Sequence, residues 1–158
     1  MTRPVRTASI VSGKQWPADV DRLLRGLPEW FGIDSSIRQY VDDARSLPTT
    51  VALDDGRVVG VCVVRHHTPV AAEIEVLAVE RAMHRHGLGR RLLQHVETGL
   101  REHGFVLLQV KTLGPSGDSA EYARTRAFYE ALGYLPLEER TDIWGADNPC
   151  LIFVKPLT

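Results

Sequence analysis

The sequence predicts an α/β or α+β domain, a sheet carrying helices, and three observations carry that prediction. The stretch TTVALDDGRVVGVCVVRHH places two β-rich segments around Asp54-Asp55-Gly56, whose Asp-Gly pair is a strong hairpin turn signal. Leu88, Leu92, Val96 and Leu100 recur at four-residue intervals with Leu93 on the same side, which is helical periodicity, and Gly104 supplies a stop. A strand candidate, Val70 to Glu80, leads into that helix, and a buried-looking strand, Phe105 to Lys111, follows it. A strand-helix-strand crossover of this kind belongs to a sheet domain with packed helices.

The remaining elements follow from the same signals. A short extended segment, roughly Arg6 to Val11, ends at Ser12-Gly13. Two helical candidates, about Pro17 to Leu24 and Ser36 to Arg45, flank the connector GLPEWFGIDSS, which carries Trp30 and Phe31 between Pro28 and Gly32. Such aromatic cargo is unusual in a solvated loop, and it suits either a pocket wall that touches substrate or local core packing. After a Gly/Pro/Ser/Asp loop, a helix is expected from about Ser119 to Leu132, with Asp118 and Glu121 spaced as a capping box and Gly133 as its stop. Extended segments near Tyr134 to Glu139 and Cys150 to Pro156 close the chain.

At 158 residues the chain, 1–158, is expected to form one domain able to bury a substantial core without disulfides or metals. Its formal net charge of -1 gives no general electrostatic reason to bind nucleic acid or a membrane, so any anion site must be local. Cys62 and Cys150 lie far apart, with no CxxC pair; Cys62, inside VVGVCVV, reads as a small core residue. Met-Thr-Arg-Pro at the N-terminus has no apolar signal region, and no run approaches the length of a membrane span, so a cytoplasmic location is expected.

The segment HRHGLGRRLL, His84 to Leu93, puts two glycines and several basic groups where a helix begins. Glycine in a helix interior costs roughly 1 kcal/mol relative to alanine, so two of them in an opening turn imply a backbone that something approaches closely. Bare N–H groups and the positive end of the helix dipole suit a phosphate. A dinucleotide fingerprint would need glycine at Leu92, and a P-loop would need Lys-Ser/Thr where Arg90-Arg91 stand, so both fail.

With TRAFYEALGY downstream (Thr125 to Tyr134), the pattern resembles the GNAT superfamily of N-acetyltransferases from about Thr50 onward. The family signature is Gln/Arg-x-x-Gly-x-Gly/Ala, to which Gly87 and Gly89 correspond, with His84 where Gln or Arg is usual. The resemblance implies a mixed, mostly antiparallel sheet with helices on both faces and acetyl-CoA held where two central strands diverge. It implies that backbone from His84, Arg85, His86, Gly87, Leu88, Gly89 and Arg90 wraps the pyrophosphate, and that Leu77, Ala78 and Val79 offer main-chain groups to the pantetheine arm and the oxyanion.

Acyl transfer from a thioester to an amine needs a base, an oxyanion site and a proton for the leaving thiolate. Glu73 and Glu75 alternate onto one strand face, where they suit either a base or a solvated surface. The family often places its base on this strand, and Glu73, six residues before Val79, matches the spacing in histone-acetylating members. Tyr129 is the candidate acid; by spacing alone it is equally a core aromatic beside Phe128. Tyr122 and Thr125 stand where the family commonly has asparagine and alanine. His66-His67 and His84-x-His86 lack the cysteines or clustered carboxylates of a metal set, so no metal is expected, and Cys150 at a strand start is read as buried rather than as a covalent acceptor.

The expected reaction is direct transfer from acetyl-CoA to a primary amine of a small molecule, with the aromatic connector and the TDIWGADNP loop, Trp144 included, as candidate pocket walls. A non-catalytic acyl-CoA sensor and a protein-interaction module are the alternatives. Dimerisation is common in the resembling family, so a homodimer is possible, but no residue pattern here specifies an interface.

Overall fold

The computed structural model describes residues 8–158. The elements are β1 (Ser9–Ser12), α1 (Pro17–Arg25), α2 (Asp34–Asp43), β2 (Thr49–Asp54), β3 (Arg57–His66), β4 (Ala71–Val79), a 3₁₀ turn (Arg81–Met83), α3 (Leu88–Glu102), β5 (Leu107–Leu113), α4 (Ala120–Ala131), β6 (Leu135–Arg140) and β7 (Cys150–Pro156). The strands form a mixed seven-stranded sheet in the order β1-β2-β3-β4-β5-β7-β6. Every expected element is present. The start of the extended segment near Arg6 lies outside the described residues.

The described residues gather into two compact units, one running up to Val64 and including Val76–Val96, the other formed by Arg65–Glu75 and Glu97–Thr158. In the first, β2 and β3 form the hairpin about Asp55 and Gly56, both at positive φ as the Asp-Gly signal requires. The alternation of the strands sorts their side chains onto two faces. Val51, Val61, Val63, Val76 and Ala78 pack with Val20, Leu23 and Leu24 of α1 and Ile37 of α2. Ala52, Val59, Leu77 and Val79 face the other way, toward Leu88 and Leu92 of α3. A bulge shifts the β2–β3 register between Ala52 and Leu53, so Val58 and Val61 reach the same core although their spacing is odd. At Gly60, α3 comes so close that an added Cβ would sit 2.9 Å from Leu92 Cδ1.

In the second unit β4 pairs in parallel with β5, β5 antiparallel with β7, and β7 antiparallel with β6. Tyr129 of α4 packs its ring on Tyr134 and Phe153 at centroid distances of 5.3 and 6.0 Å. Beside it the buried Glu97 accepts hydrogen bonds from Tyr134 Oη (2.8 Å) and Lys155 Nζ (2.7 Å). Lys155 also donates to the Leu132 carbonyl, tying the end of α4 to β7.

Several boundaries depart from expectation by one or two residues, and three of these have a local cause. The helix expected from Ser36 begins at Asp34, where a carboxylate in the first turn favours the helix dipole. The strand expected from Phe105 begins at Leu107, because Phe105 N–H closes the end of α3 on the Leu100 carbonyl. The helix cap is Ser119 rather than Asp118: its hydroxyl accepts from the N–H of Tyr122, one residue later than the expected box.

Removing the ammonium leaves the buried Glu97 with Tyr134 Oη and, 3.5 Å away, the half-exposed Arg101 guanidinium. Lys155→Met is expected to lower stability by about 3 kcal/mol, the low end for orphaning one member of a buried pair, because Tyr134 still donates. Urea unfolding measures it, and an unchanged midpoint would mean that the pair contributes nothing net.

Candidate functional site

In the first unit, β4 ends at Val79 and the chain passes through the 3₁₀ turn into a loop that reverses at two left-handed residues, Arg85 (φ 67°) and Gly87 (φ 73°). For arginine that conformation costs about 1–2 kcal/mol, and glycine adopts it without a Cβ clash. The Gly87 carbonyl accepts from Arg91 N–H, which makes Gly87 the residue that opens α3. It brings no side chain to cap the helix, so the N–H groups of Leu88, Gly89 and Arg90 in the first turn have no intrahelical acceptor. Apart from Gly87 and its two neighbours in the chain, no heavy atom among the described residues lies within 4 Å of where a Gly87 Cβ would be. An open-sided run of N–H groups at a helix start suits a diphosphate.

The basic side chains around this loop divide their work. His84 turns inward: its Nε2 donates to the Val79 carbonyl at 2.7 Å, and its ring meets Trp30 edge-on at 5.9 Å. Arg91 donates to the Ala8 carbonyl. Arg85, His86 and Arg90 are exposed. The aromatic connector is pinned here, since Arg81 Nη2 bonds both oxygens of Glu29 at 2.8 and 2.6 Å. Trp30 and Phe31 are half-buried and pack against the core, with Phe31 edge-on to Tyr40.

In the second unit the β4–β5 ladder pairs Ala71–Ile74 with Leu107–Val110 and sets Glu73 opposite Gln109. β4 continues to Val79, so the backbone of Glu75, Leu77, Ala78 and Val79 lies beyond that ladder. Glu73 is buried, and its Oε1 accepts from His67 Nε2 (2.7 Å), Gln109 Nε2 (3.1 Å) and Lys111 Nζ (3.3 Å). Lys111 also lies 3.2 Å from Oε2. Glu75, two residues on, is held by Arg65 Nε at 2.7 Å. The two carboxylates are thus distinct: one is buried among three donors, the other paired with a single guanidinium.

Tyr129 is buried, with its ring in the aromatic cluster. Cys150 is buried too, and burial pushes its thiol above the ordinary value; nearby Lys111 opposes that push and Glu73 adds to it. A thiol kept protonated is a poor nucleophile. His66 stacks on Phe105 at 4.6 Å. Gln109, Lys111 and the role of His67 were missed in the sequence, although period-2 alternation in FVLLQVK puts Gln109 and Lys111 on one face of an otherwise apolar strand.

A family model described as Acetyltransferase (GNAT) domain matches residues 45–136. No curated protein matches the chain. Among solved structures, a protein assigned to the GNAT acetyltransferase family from Desulfovibrio desulfuricans is similar at a TM-score of 0.84 and 20% identity, over 96% of this chain and 99% of that one. An aminoglycoside 6'-N-acetyltransferase complexed with coenzyme A gives 0.73 and 20%, over 95% and 97%. The ribosomal-protein-S18-alanine N-acetyltransferase from Escherichia coli gives 0.74 and 19%, over 96% and 94%.

The Glu29–Arg81 contact gives a pH-dependent prediction. The Arg81 hydrogen bonds hold the Glu29 carboxyl below its ordinary value of 4.5. A depressed acid stabilises the fold above its unfolded pKa and loses that contribution as the pH falls through the folded one. Glu29→Gln is therefore expected to lower Tm slightly at pH 7, with the gap to wild type shrinking steadily below pH 4.5. A gap of constant size down to pH 3 in thermal melts would show that Glu29 acts through packing.

Proposed function

The chain belongs to the GNAT acetyltransferase family, and on that premise we propose that it moves the acetyl group of acetyl-CoA to a primary amine of a small molecule by direct attack. The observation that carries this reading is the start of α3. Gly87 opens the helix at positive φ, without a capping side chain and with an open Cβ side, directly after the turn that leaves β4. In the proposed roles the N–H groups from Arg85 to Arg90 hold the pyrophosphate, with Gly87 and Gly89 letting it approach the backbone. Main-chain groups of Leu77, Ala78 and Val79 take the pantetheine arm and the developing oxyanion. His84 acts through the Val79 carbonyl that it holds, rather than by touching phosphate.

Proton removal from the amine depends on Glu73 in this reading, and Glu75 is set aside because Arg65 engages it. Tyr129 is the group proposed to protonate the departing thiolate, a transfer from a phenol of pKa near 10 to a thiolate near 8.5 that gains force only as charge develops on sulfur. The small-molecule acceptor is supported by the likeness to the aminoglycoside 6'-N-acetyltransferase. A protein α-amine is the second reading, favoured by the likeness to the ribosomal-protein-S18-alanine enzyme.

Calorimetric titration with acetyl-CoA and a panel of an aminoglycoside, a polyamine and a peptide with N-terminal alanine, followed by thiol release, tests these points. Gly87→Val is expected to weaken acetyl-CoA binding at least tenfold, since it strains the turn and fills the open side. Wild-type affinity in that variant would remove the cradle. Glu73→Gln should leave acetyl-CoA affinity within about twofold and cut kcat by roughly a hundredfold, the low end of general-base effects. Tight binding with no thiol release from any amine would point instead to an acyl-CoA sensor.

A further inference from the structure

Resting on the acetyl-transfer reading, we propose that the group which takes the proton from the acceptor amine is Nδ1 of His67, and that Glu73 is its positioning residue. The two differ in what can reach them. The Glu73 side chain is 6% exposed, whereas that of His67 is 43% exposed. Oε1 of Glu73 already meets three donors, more than its two lone pairs serve well. An amine would have to displace them and enter a buried position to reach it.

The hydrogen bond also sets the imidazole. A carboxylate oxygen only accepts, so His67 Nε2 must carry the proton in the 2.7 Å contact. In neutral His67 that leaves the lone pair on Nδ1, which makes no hydrogen bond to any of the described residues. The main chain holds the other end of the residue, because His67 N–H donates to the Ala71 carbonyl at 3.0 Å. A buried carboxylate behind an imidazole fixes its tautomer and stabilises the imidazolium formed when the far nitrogen takes a proton. Gln109 and Lys111 of β5 hold the carboxylate from behind, and Lys111 keeps it from turning to the ring with both oxygens. The charged and titratable groups around the pair are Lys111 on β5, Arg65 with Glu75 on β3 and β4, Cys150 on β7, and His66, which is stacked on Phe105.

The step balances as follows. An ammonium acceptor gives one proton to Nδ1, which passes it to solvent. The neutral nitrogen then attacks the thioester carbonyl, the C–N bond forms and the C–S bond breaks. The second nitrogen proton ends on the CoA sulfur, by way of Tyr129 in the proposed reading, leaving an amide and free thiol.

The test combines nitrogen NMR of the imidazoles with kinetics on acetyl-CoA and the same three amines. The expected wild-type signal for His67 at pH 8 is the Nε2–H tautomer, and that preference should weaken in Glu73→Gln. His67→Gln, which can still donate to Glu73, should lose at least a hundredfold in kcat with KM for acetyl-CoA within about twofold. It should also lose the rising limb of the kcat–pH profile, and the double variant should be no slower than His67→Gln alone. An Nδ1–H tautomer in the wild type, or a His67→Gln variant that keeps wild-type kcat and pH profile while Glu73→Gln is slow, overturns the proposal and leaves Glu73 as the direct base. Wild-type protein that releases no CoA with any amine overturns the transfer reading itself, and the proposal with it.

Discussion

The parallel register of β4 on β5 places Glu73 beside Gln109 and, two residues further along the same face, near Lys111. A carboxylate buried in a sheet is tolerated only when charge and hydrogen bonds compensate it, and the penalty for leaving it alone reaches several kcal/mol. A one-residue slip would turn Leu108 and Val110 toward Glu73 and send Gln109 and Lys111 to the opposite face. Register and electrostatics therefore enforce each other here: the ladder aligns the donors, and the buried charge penalises every other alignment.

The same unit contains a second buried carboxylate, and the contrast shows what a partner set does. Glu97 meets Tyr134 and Lys155 by hydrogen bonds and Arg101 at 3.5 Å, and Lys155 also donates to the Leu132 carbonyl. The donors around Glu97 are a phenol, an ammonium and a guanidinium, and none of them brings an imidazole nitrogen that could take a proton. The Glu73 network ends in His67, a side chain with substantial exposure and a ring nitrogen still available to accept. Two carboxylates of similar burial thus have different possibilities, decided by whether an imidazole stands among the donors.

The start of α3 solves a different problem. Serine, threonine, asparagine and aspartate are the favoured caps of a helix's first N–H groups, and Ser119 caps α4 in this way, whereas α1 and α2 have no side-chain cap. α3 begins instead on a glycine at φ 73°, reached through an arginine at φ 67°. The chain spends conformational energy at Arg85 and forgoes a cap at Gly87, and an anion at those N–H groups would return both. His84, through the Val79 carbonyl, and the Glu29–Arg81 pair anchor the chain on either side of the turn that leads into that loop.

What the sequence by itself determined was set by local physics. The Asp-Gly turn, the four-residue leucine spacing of α3, the alternation in β4 and the glycines at 87 and 89 act over a few neighbouring residues, so the element order and the glycine-led start of α3 were legible before any coordinates. Even the misplaced boundaries are local competitions, such as Ser119 outdoing Asp118 for one N–H group. The partners of Glu73 were not legible, because His67, Gln109 and Lys111 come from a turn and a second strand as many as 38 residues away, and nothing near position 73 encodes which register will bring them in. The same holds for the packing of Trp30 and Phe31, whose contacts with the core involve residues far along the chain. Only the tertiary structure decided these points, since side chains distant in sequence meet at a geometry that long-range pairing alone defines.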